Sequence, residues 1–146
     1  MKKWLAPIFG FVPFLYGLLV TFSVSMMPGE ATIIVGPVLA AVFLVMWCQL
    51  AKIANYHLIN TKLTILYMHI PGILVYGILC INAALPQPFL AGWFANLLLY
   101  YQMPVLPLAY YITLIAPSNY LVYIISLTFM VCTAYFGCNS KRRQVK

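Results

Sequence analysis

Residues 33–53 read IIVGPVLAAVFLVMWCQLAKI, an apolar run whose single charge, Lys52, comes close to its end. A helix needs about 20 such residues to cross the hydrocarbon core of a bilayer, because each residue advances it by about 1.5 Å. In that core a helix pairs its own backbone groups, whereas an isolated strand leaves them unpaired. This run therefore predicts a transmembrane helix.

Three further apolar stretches lie at residues 4–26, 63–84 and 119–136. Over the whole chain 65% of residues are hydrophobic and 6% are charged, against about 25% charged in soluble domains. A soluble chain of 146 residues cannot hide so much apolar surface. The alternating pattern of a membrane barrel is missing from the sequence. We therefore predict an all-α integral membrane protein, one four-helix transmembrane bundle formed by residues 1–146.

The first stretch has a second interpretation as a signal peptide. Lys2 and Lys3 precede it, and the small residues at 23–25 resemble a cleavage site. The apolar run over 4–22 is longer than the usual signal core, and bulky methionines follow it. We expect the stretch to be retained as a span.

The basic residues predict the orientation of the bundle. The formal net charge is +7, from eight Lys and Arg against one acidic residue, Glu30. With four spans, all eight fall on one side and Glu30 falls on the other, as the positive-inside rule requires. We predict a multi-pass protein of a cell membrane, of the bacterial inner-membrane kind, with both termini and the basic tail at 139–146 in the cytoplasm. The cations form no stripe with interleaved polar contacts, which argues against nucleic acid.

Residues 85–117 carry no charge and are rich in proline and tyrosine, so they are too apolar for an ordinary loop. One long span here would put the basic tail opposite Lys52, so a fifth span is disfavoured. We predict two short pieces at 89–101 and 108–116, separated by a proline break. Each is too short to cross the bilayer. Two arrangements stay open: an interfacial cap over the bundle, or a re-entrant hairpin lining a cavity.

His69 is the histidine placed inside a predicted span, and Pro71 and Gly72 follow it. Polar groups inside a membrane are costly and face the protein interior. A proline in the helix leaves a backbone carbonyl free nearby. The histidine is either a relay or ligand-binding group, or a neutral side chain bonded to a neighbouring helix. The candidate polar site inside the membrane consists of His69, Asn82 and Gln49.

A second candidate region is the outer surface, where we expect a partner protein to dock. Glu30 follows a Pro-Gly turn and is interpreted as a carboxylate at a helix start. The uncharged aromatic segment supplies side chains suited to the headgroup level. The candidate partner surface consists of Glu30, Trp93, Tyr100, Tyr101, Tyr110 and Tyr111.

Several chemistries are disfavoured by the composition. One acidic residue cannot form a carboxylate pair for acid–base catalysis. The cysteines at 48, 80, 132 and 138 contain no Cys-x-x-Cys pair and no metal-ligand spacing, and they are interpreted as small buried residues. We predict no catalytic residue, no cofactor and no metal site.

Three functions remain compatible with these features. The favoured one is a non-catalytic protein acting through helix–helix contacts, as an accessory subunit of a membrane complex or a membrane-embedded inhibitor or immunity protein. The first alternative is a homo-oligomeric transporter, channel or flippase subunit for a small or amphipathic cargo. The second alternative is a lipid-modifying enzyme. The expected partners are the lipid bilayer and either another membrane protein or a second copy of this chain.

Overall fold

The structure is a computed structural model that describes residues 4–58, 60–83, 91–113 and 119–140. Within these ranges every regular element is an α-helix, which confirms the all-α prediction. The helices are α1 (Leu5–Phe9), α2 (Val12–Ser25), α3 (Gly29–Leu58), α4 (Thr61–Ala83), α5 (Ala91–Gln102), α6 (Leu106–Thr113) and α7 (Asn119–Asn139).

Four helical stretches of the described chain are long and apolar enough to cross a membrane. Their number confirms the prediction of four candidate spans. The largest difference in bounds is α3, a helix over Gly29–Leu58 where the sequence predicted a span over 33–53. Hydropathy marks where the apolar layer ends, whereas a helix continues until its backbone is capped or broken. The stretches are Leu5–Ser25, Ile33–Leu58, Thr61–Ile78 and Leu121–Asn139.

The first stretch is divided into α1 and α2 by a tight turn. Pro13 has no N–H, so it cannot donate to the carbonyl of Phe9 and the regular ladder is interrupted. The Phe11 N–H donates instead to the Ile8 carbonyl, three residues back, at 3.1 Å. Gly10 lies in this turn, where an added Cβ would be 2.8 Å from the ring of Pro71. The turn thus lets α1 pack against α4 while α2 packs against α5 and α3.

The ends of the long helices define two ends of the bundle. Asn55 Nδ2 donates to the Cys138 carbonyl at 2.9 Å, so α3 and α7 finish at the same end. Thr64 Oγ1 donates to Asn55 Oδ1 at 3.1 Å, so α4 begins at this end. Lys52 and Lys62 also lie at this end, which is called the basic end below. Glu30, near the start of α3, belongs to the opposite end.

Helices α5 and α6 form a hairpin, joined by a turn at residues 103–105, that inserts among the long helices. Helix α5 packs against α2 and α4, and α6 packs against α7 and α3. Gly17 of α2 touches the backbone carbonyl of Tyr100, and Gly36 of α3 would place a Cβ 3.1 Å from Pro107. Val105, in the turn, is fully buried. The tip of this α5–α6 hairpin therefore lies in the hydrophobic core.

Candidate functional site

The site is built on α4, which begins with a polar cap and continues through Pro71. Asn60 Oδ1 accepts hydrogen bonds from the backbone N–H groups of Lys62 and Leu63, at 3.1 and 3.3 Å. Such a cap satisfies donors that a helix start leaves free. Two turns later, His69 and Gly72 lie three residues apart and therefore share one face of the helix. That face is turned towards the core.

His69 is buried, with 4% of its surface exposed. Its Nδ1 lies 2.8 Å from the Ile65 carbonyl oxygen. Because a carbonyl only accepts, Nδ1 carries the hydrogen, and in the neutral ring Nε2 remains an acceptor. Nε2 is buried and has no hydrogen-bond partner. The ring packs edge-on against Trp47 of α3, with 5.8 Å between centroids.

Tyr101 at the tip of the hairpin lies directly over Gly72. A Cβ on that glycine would be 2.5 Å from Cε1 and Cζ of the tyrosine ring, so only glycine leaves room for it. The tyrosine is 1% exposed, and its ring contacts that of Phe14 at 5.0 Å. Its hydroxyl is buried without a hydrogen-bond partner.

Gln102, the last residue of α5, adds another buried polar group. It is 6% exposed, and its side-chain Oε1 has no partner. Its backbone carbonyl accepts a long hydrogen bond, 3.4 Å, from Ser126 Oγ of α7. His69, Tyr101 and Gln102 are together called the central polar site.

The central polar site combines neutral polar groups with aromatic walls. Tyr101 offers a hydroxyl donor, whereas His69 Nε2 and Gln102 Oε1 offer acceptors. A buried polar atom without a partner costs about 1–3 kcal/mol, so each such atom calls for a ligand, an ordered water or a functional role. Phe14 and Trp47 pack against Tyr101 and His69, and no charged side chain is known to reach the site within the described part of the chain. The central polar site therefore presents unpaired hydrogen-bonding groups in uncharged, largely aromatic surroundings.

The structure does not gather the predicted polar site as a unit. His69 is in the core, but Gln49 is exposed on the outside of α3, so these two side chains do not share a site. The reason is helical phase: Trp47, two residues earlier, faces inward and turns Gln49 outward. Asn82 lies in the last turn of α4, and its side chain is outside the described residues.

The residues of the predicted partner surface also do not lie together on one exposed surface. Tyr101 is wrong as a surface residue, because Gly72 opens space for its ring in the core. Tyr100 is half-buried, whereas Tyr110 and Tyr111 are exposed. The Tyr111 hydroxyl donates to the Ile33 carbonyl at 2.7 Å, which ties α6 to the start of α3. The side chains of Glu30 and Trp93 lie outside the described residues.

Cysteine burial was predicted correctly in part. Cys138 is buried against α3, but Cys132, on the outer face of α7, is exposed. The side chain of Cys80 is outside the described residues. A small apolar side chain fits a helix exterior in lipid as well as an interior, so residue type alone does not predict burial there.

Gln102 belongs to the central polar site and Trp47 packs against it, but neither was singled out as a site residue from the sequence. The available signal was position, since Tyr101 and Gln102 immediately precede the proline break and must lie at the tip of any hairpin formed there. No family model, curated protein or solved structure matches this chain.

Proposed function

We propose that this chain is the subunit of a membrane transporter or channel, in which the α5–α6 hairpin controls access to the central polar site. One observation carries the proposal: the Tyr101 ring at the hairpin tip, with its buried hydroxyl unpaired, lies over Gly72 of α4, one helical turn after His69. The proline-rich segment and the His69-Pro71 stretch were separate candidates in the sequence, and they meet here. Transport therefore gains support over purely structural helix–helix contacts.

Membrane insertion is part of this proposal. The long helices leave large apolar side chains exposed, Leu15, Ile34 and Ile124 among them, and lipid would cover them. With the basic end in the cytoplasm, a membrane-impermeant thiol reagent applied to intact cells should label a cysteine at position 30 and miss cysteines at positions 3 and 144. Labelling of position 144 from outside would overturn the orientation.

The proposed cargo is small and neutral. The chain has a single acidic residue, at the end opposite Lys52, and a buried ion without a counter-charge is strongly unfavourable. The hydrogen-bonding groups of the site and its aromatic walls instead suit an uncharged polar or amphipathic solute. Since four spans rarely enclose a pathway alone, the working unit is a symmetric homo-oligomer.

The direct test is solute entry into proteoliposomes, followed by light scattering with glycerol and urea as neutral probes. We expect entry to be faster than in protein-free vesicles, and His69→Ala to abolish the increase without lowering the yield of folded protein. Gly77→Ala is the matched control and should transport normally, because Gly77 is partly exposed and an added Cβ meets no atom of the described residues within 4 Å. Equal rates with and without protein for both probes would count against the proposal.

A disulfide tests whether the hairpin controls access. A Cβ on Gly36 would lie 3.1 Å from the Pro107 Cβ, close to the Cβ separation of about 3.8 Å in disulfides. In a background without native cysteines, Gly36→Cys with Pro107→Cys should form a cross-link that blocks entry until a reductant is added. Unchanged entry in the cross-linked protein would show that the hairpin need not move.

The second candidate function is the non-catalytic interaction protein favoured by the sequence. Gly77 supports it, because an added Cβ there meets nothing within 4 Å on an exposed face of α4. Small residues on such faces let another helix approach closely. Extraction in mild detergent distinguishes the candidates: a discrete complex with a different protein, lost in Gly77→Leu, favours interaction. A homo-oligomer without partners favours transport.

A further inference from the structure

A groove of about 220 Å³ lies on the outside of α3, near the basic end, away from the central polar site. Its lining residues are spaced three, four and seven positions apart and therefore form one helical face. Gln49 and Lys52 bring polar side-chain ends to this face, beside apolar Ile53 and the ring of Tyr56. The lining residues are Gln49, Lys52, Ile53 and Tyr56.

The groove lies where the apolar part of α3 gives way to its polar end. Lys52 is the charged residue of α3 at this end, and the helix finishes two turns later at Leu58. Towards the bundle centre, Val42 and Val45 are exposed on the continuation of the same face. A molecule seated here would meet polar groups at one end and an apolar track at the other.

The side chains at the polar end of the groove favour binding of an anion. The Lys52 ammonium and the Gln49 amide supply hydrogen-bond donors, and an ammonium has no acceptor. The acidic residue of the chain, Glu30, is at the opposite end of α3 and cannot neutralise Lys52. Cations at the cytoplasmic surface attract anionic lipids, with about 1 kcal/mol for each Lys or Arg.

We propose that this groove binds an anionic phospholipid, with its phosphate between Gln49 and Lys52 and an acyl chain along Val45 and Val42. A phosphate diester accepts the donors that the groove presents, and the valines match a hydrocarbon chain. The site rests on the proposed membrane insertion but not on transport, because it lies outside the bundle and uses none of the residues of the central polar site.

The test is native mass spectrometry of the full chain released from detergent with equal amounts of phosphatidylglycerol and phosphatidylcholine. We expect preferential retention of phosphatidylglycerol, and Lys52→Gln to weaken it about fivefold, the effect of one surface lysine. When Gln49→Leu is combined with Lys52→Gln, retention of phosphatidylglycerol should weaken further. Lys62→Gln is the matched control, because Lys62 is an exposed lysine at the same end but outside the groove, and its loss should change retention little.

Three results would overturn the proposal. Equal losses in Lys52→Gln and Lys62→Gln would mean diffuse attraction to the basic end. Equal retention of the two lipids would mean that the headgroup charge is not recognised. Displacement of phosphatidylglycerol by inorganic phosphate at equal concentration would mean that the acyl track contributes nothing. Unchanged helicity and elution volume of each variant will show that the fold is intact.

Discussion

Two polar regions of the bundle, one partly and one fully buried, differ in how their hydrogen bonds are completed. At the basic end, Asn55 Nδ2 donates to the Cys138 carbonyl at 2.9 Å, and Asn55 Oδ1 accepts from Thr64 Oγ1 at 3.1 Å. This basic-end network of Asn55, Thr64 and the Cys138 carbonyl joins α3, α4 and α7. At the central polar site, by contrast, His69 Nε2, Tyr101 Oη and Gln102 Oε1 have no partners.

The difference separates a structural role from a binding role. Completed networks hold helices in register, and removing one member leaves another unpaired. Open polar atoms in a packed interior cost stability unless a ligand or water meets them. The basic end is not uniform, since Thr61 Oγ1 is also buried without a partner. The contrast therefore concerns the network itself rather than the whole end.

The largest effect is expected from displacing the hairpin that brings Tyr101 and Gln102 into the core. In Gly17→Leu, the new side chain would collide with the Tyr100 carbonyl, and a backbone atom cannot rotate away. Overpacking costs about 1–3 kcal/mol or more, so we expect a large fall in the midpoint of thermal unfolding in detergent and a low folded yield.

Gly77→Leu is the control for that substitution, because its side chain enters open space on α4. Both changes replace a helical glycine by leucine, so helix propensity changes equally. We expect Gly77→Leu to leave the unfolding midpoint unchanged or slightly raised. Equal destabilisation by the two variants would show that Gly17 does not hold the hairpin.

The next largest effect is expected from breaking the basic-end network. Asn55→Leu removes both side-chain bonds and leaves the Cys138 carbonyl and the Thr64 hydroxyl without that partner. Thr64 Oγ1 keeps its bond to the Asn60 carbonyl, but loss of the partner of the Cys138 carbonyl costs about 1–3 kcal/mol, so the unfolding midpoint should fall. Thr128→Val is a suitable control, since Thr128 is exposed and bonds only to its own helix at Ile124. A midpoint unaffected by Asn55→Leu would remove the structural side of the contrast.

A smaller effect is expected from the residue that lies between the two regions. Trp47 Nε1 donates to the Met130 carbonyl at 3.1 Å, while its ring contacts His69. Trp47→Phe loses the donor and part of the ring, which we expect to cost about 1–3 kcal/mol in the free energy of unfolding. Trp4→Phe, at an exposed position, should leave stability unchanged. Equal effects would mean that Trp47 is not an organising residue of the core.

The helices were largely predictable from the sequence, because apolar length and proline act locally. Apolar runs long enough to span predicted the four long helical stretches, the first of which is divided in two. The proline break predicted two short pieces at 89–101 and 108–116, and the structure has helices at Ala91–Gln102 and Leu106–Thr113. The end of α3 was not predicted, because its last turns are polar yet still helical. Local signals therefore located elements better than their ends.

The sequence predicted less well which side chains of each helix face the core, because this depends on packing between residues that are distant in the chain. Tyr101 is buried because Gly72, on another helix, leaves room for its ring. Gln49 faces outward, although polar groups in a span were expected to face the interior. Hydrophobic patterning gives little help here, since lipid and core are both apolar.

The smallest change in stability, and the clearest test of the contrast, comes from two substitutions that each remove one hydroxyl and nearly keep the shape of the side chain. Thr64→Val removes a hydroxyl whose single hydrogen is shared between Asn55 Oδ1 and the Asn60 carbonyl, so we expect the unfolding midpoint to fall. Tyr101→Phe removes a buried hydroxyl without a partner, so stability should stay the same or rise by up to about 1 kcal/mol, since a desolvated group is lost. Solute entry should nevertheless decrease in Tyr101→Phe and remain in Thr64→Val. If Tyr101→Phe unfolds earlier and transports normally, its hydroxyl serves the fold, and the two polar regions are alike.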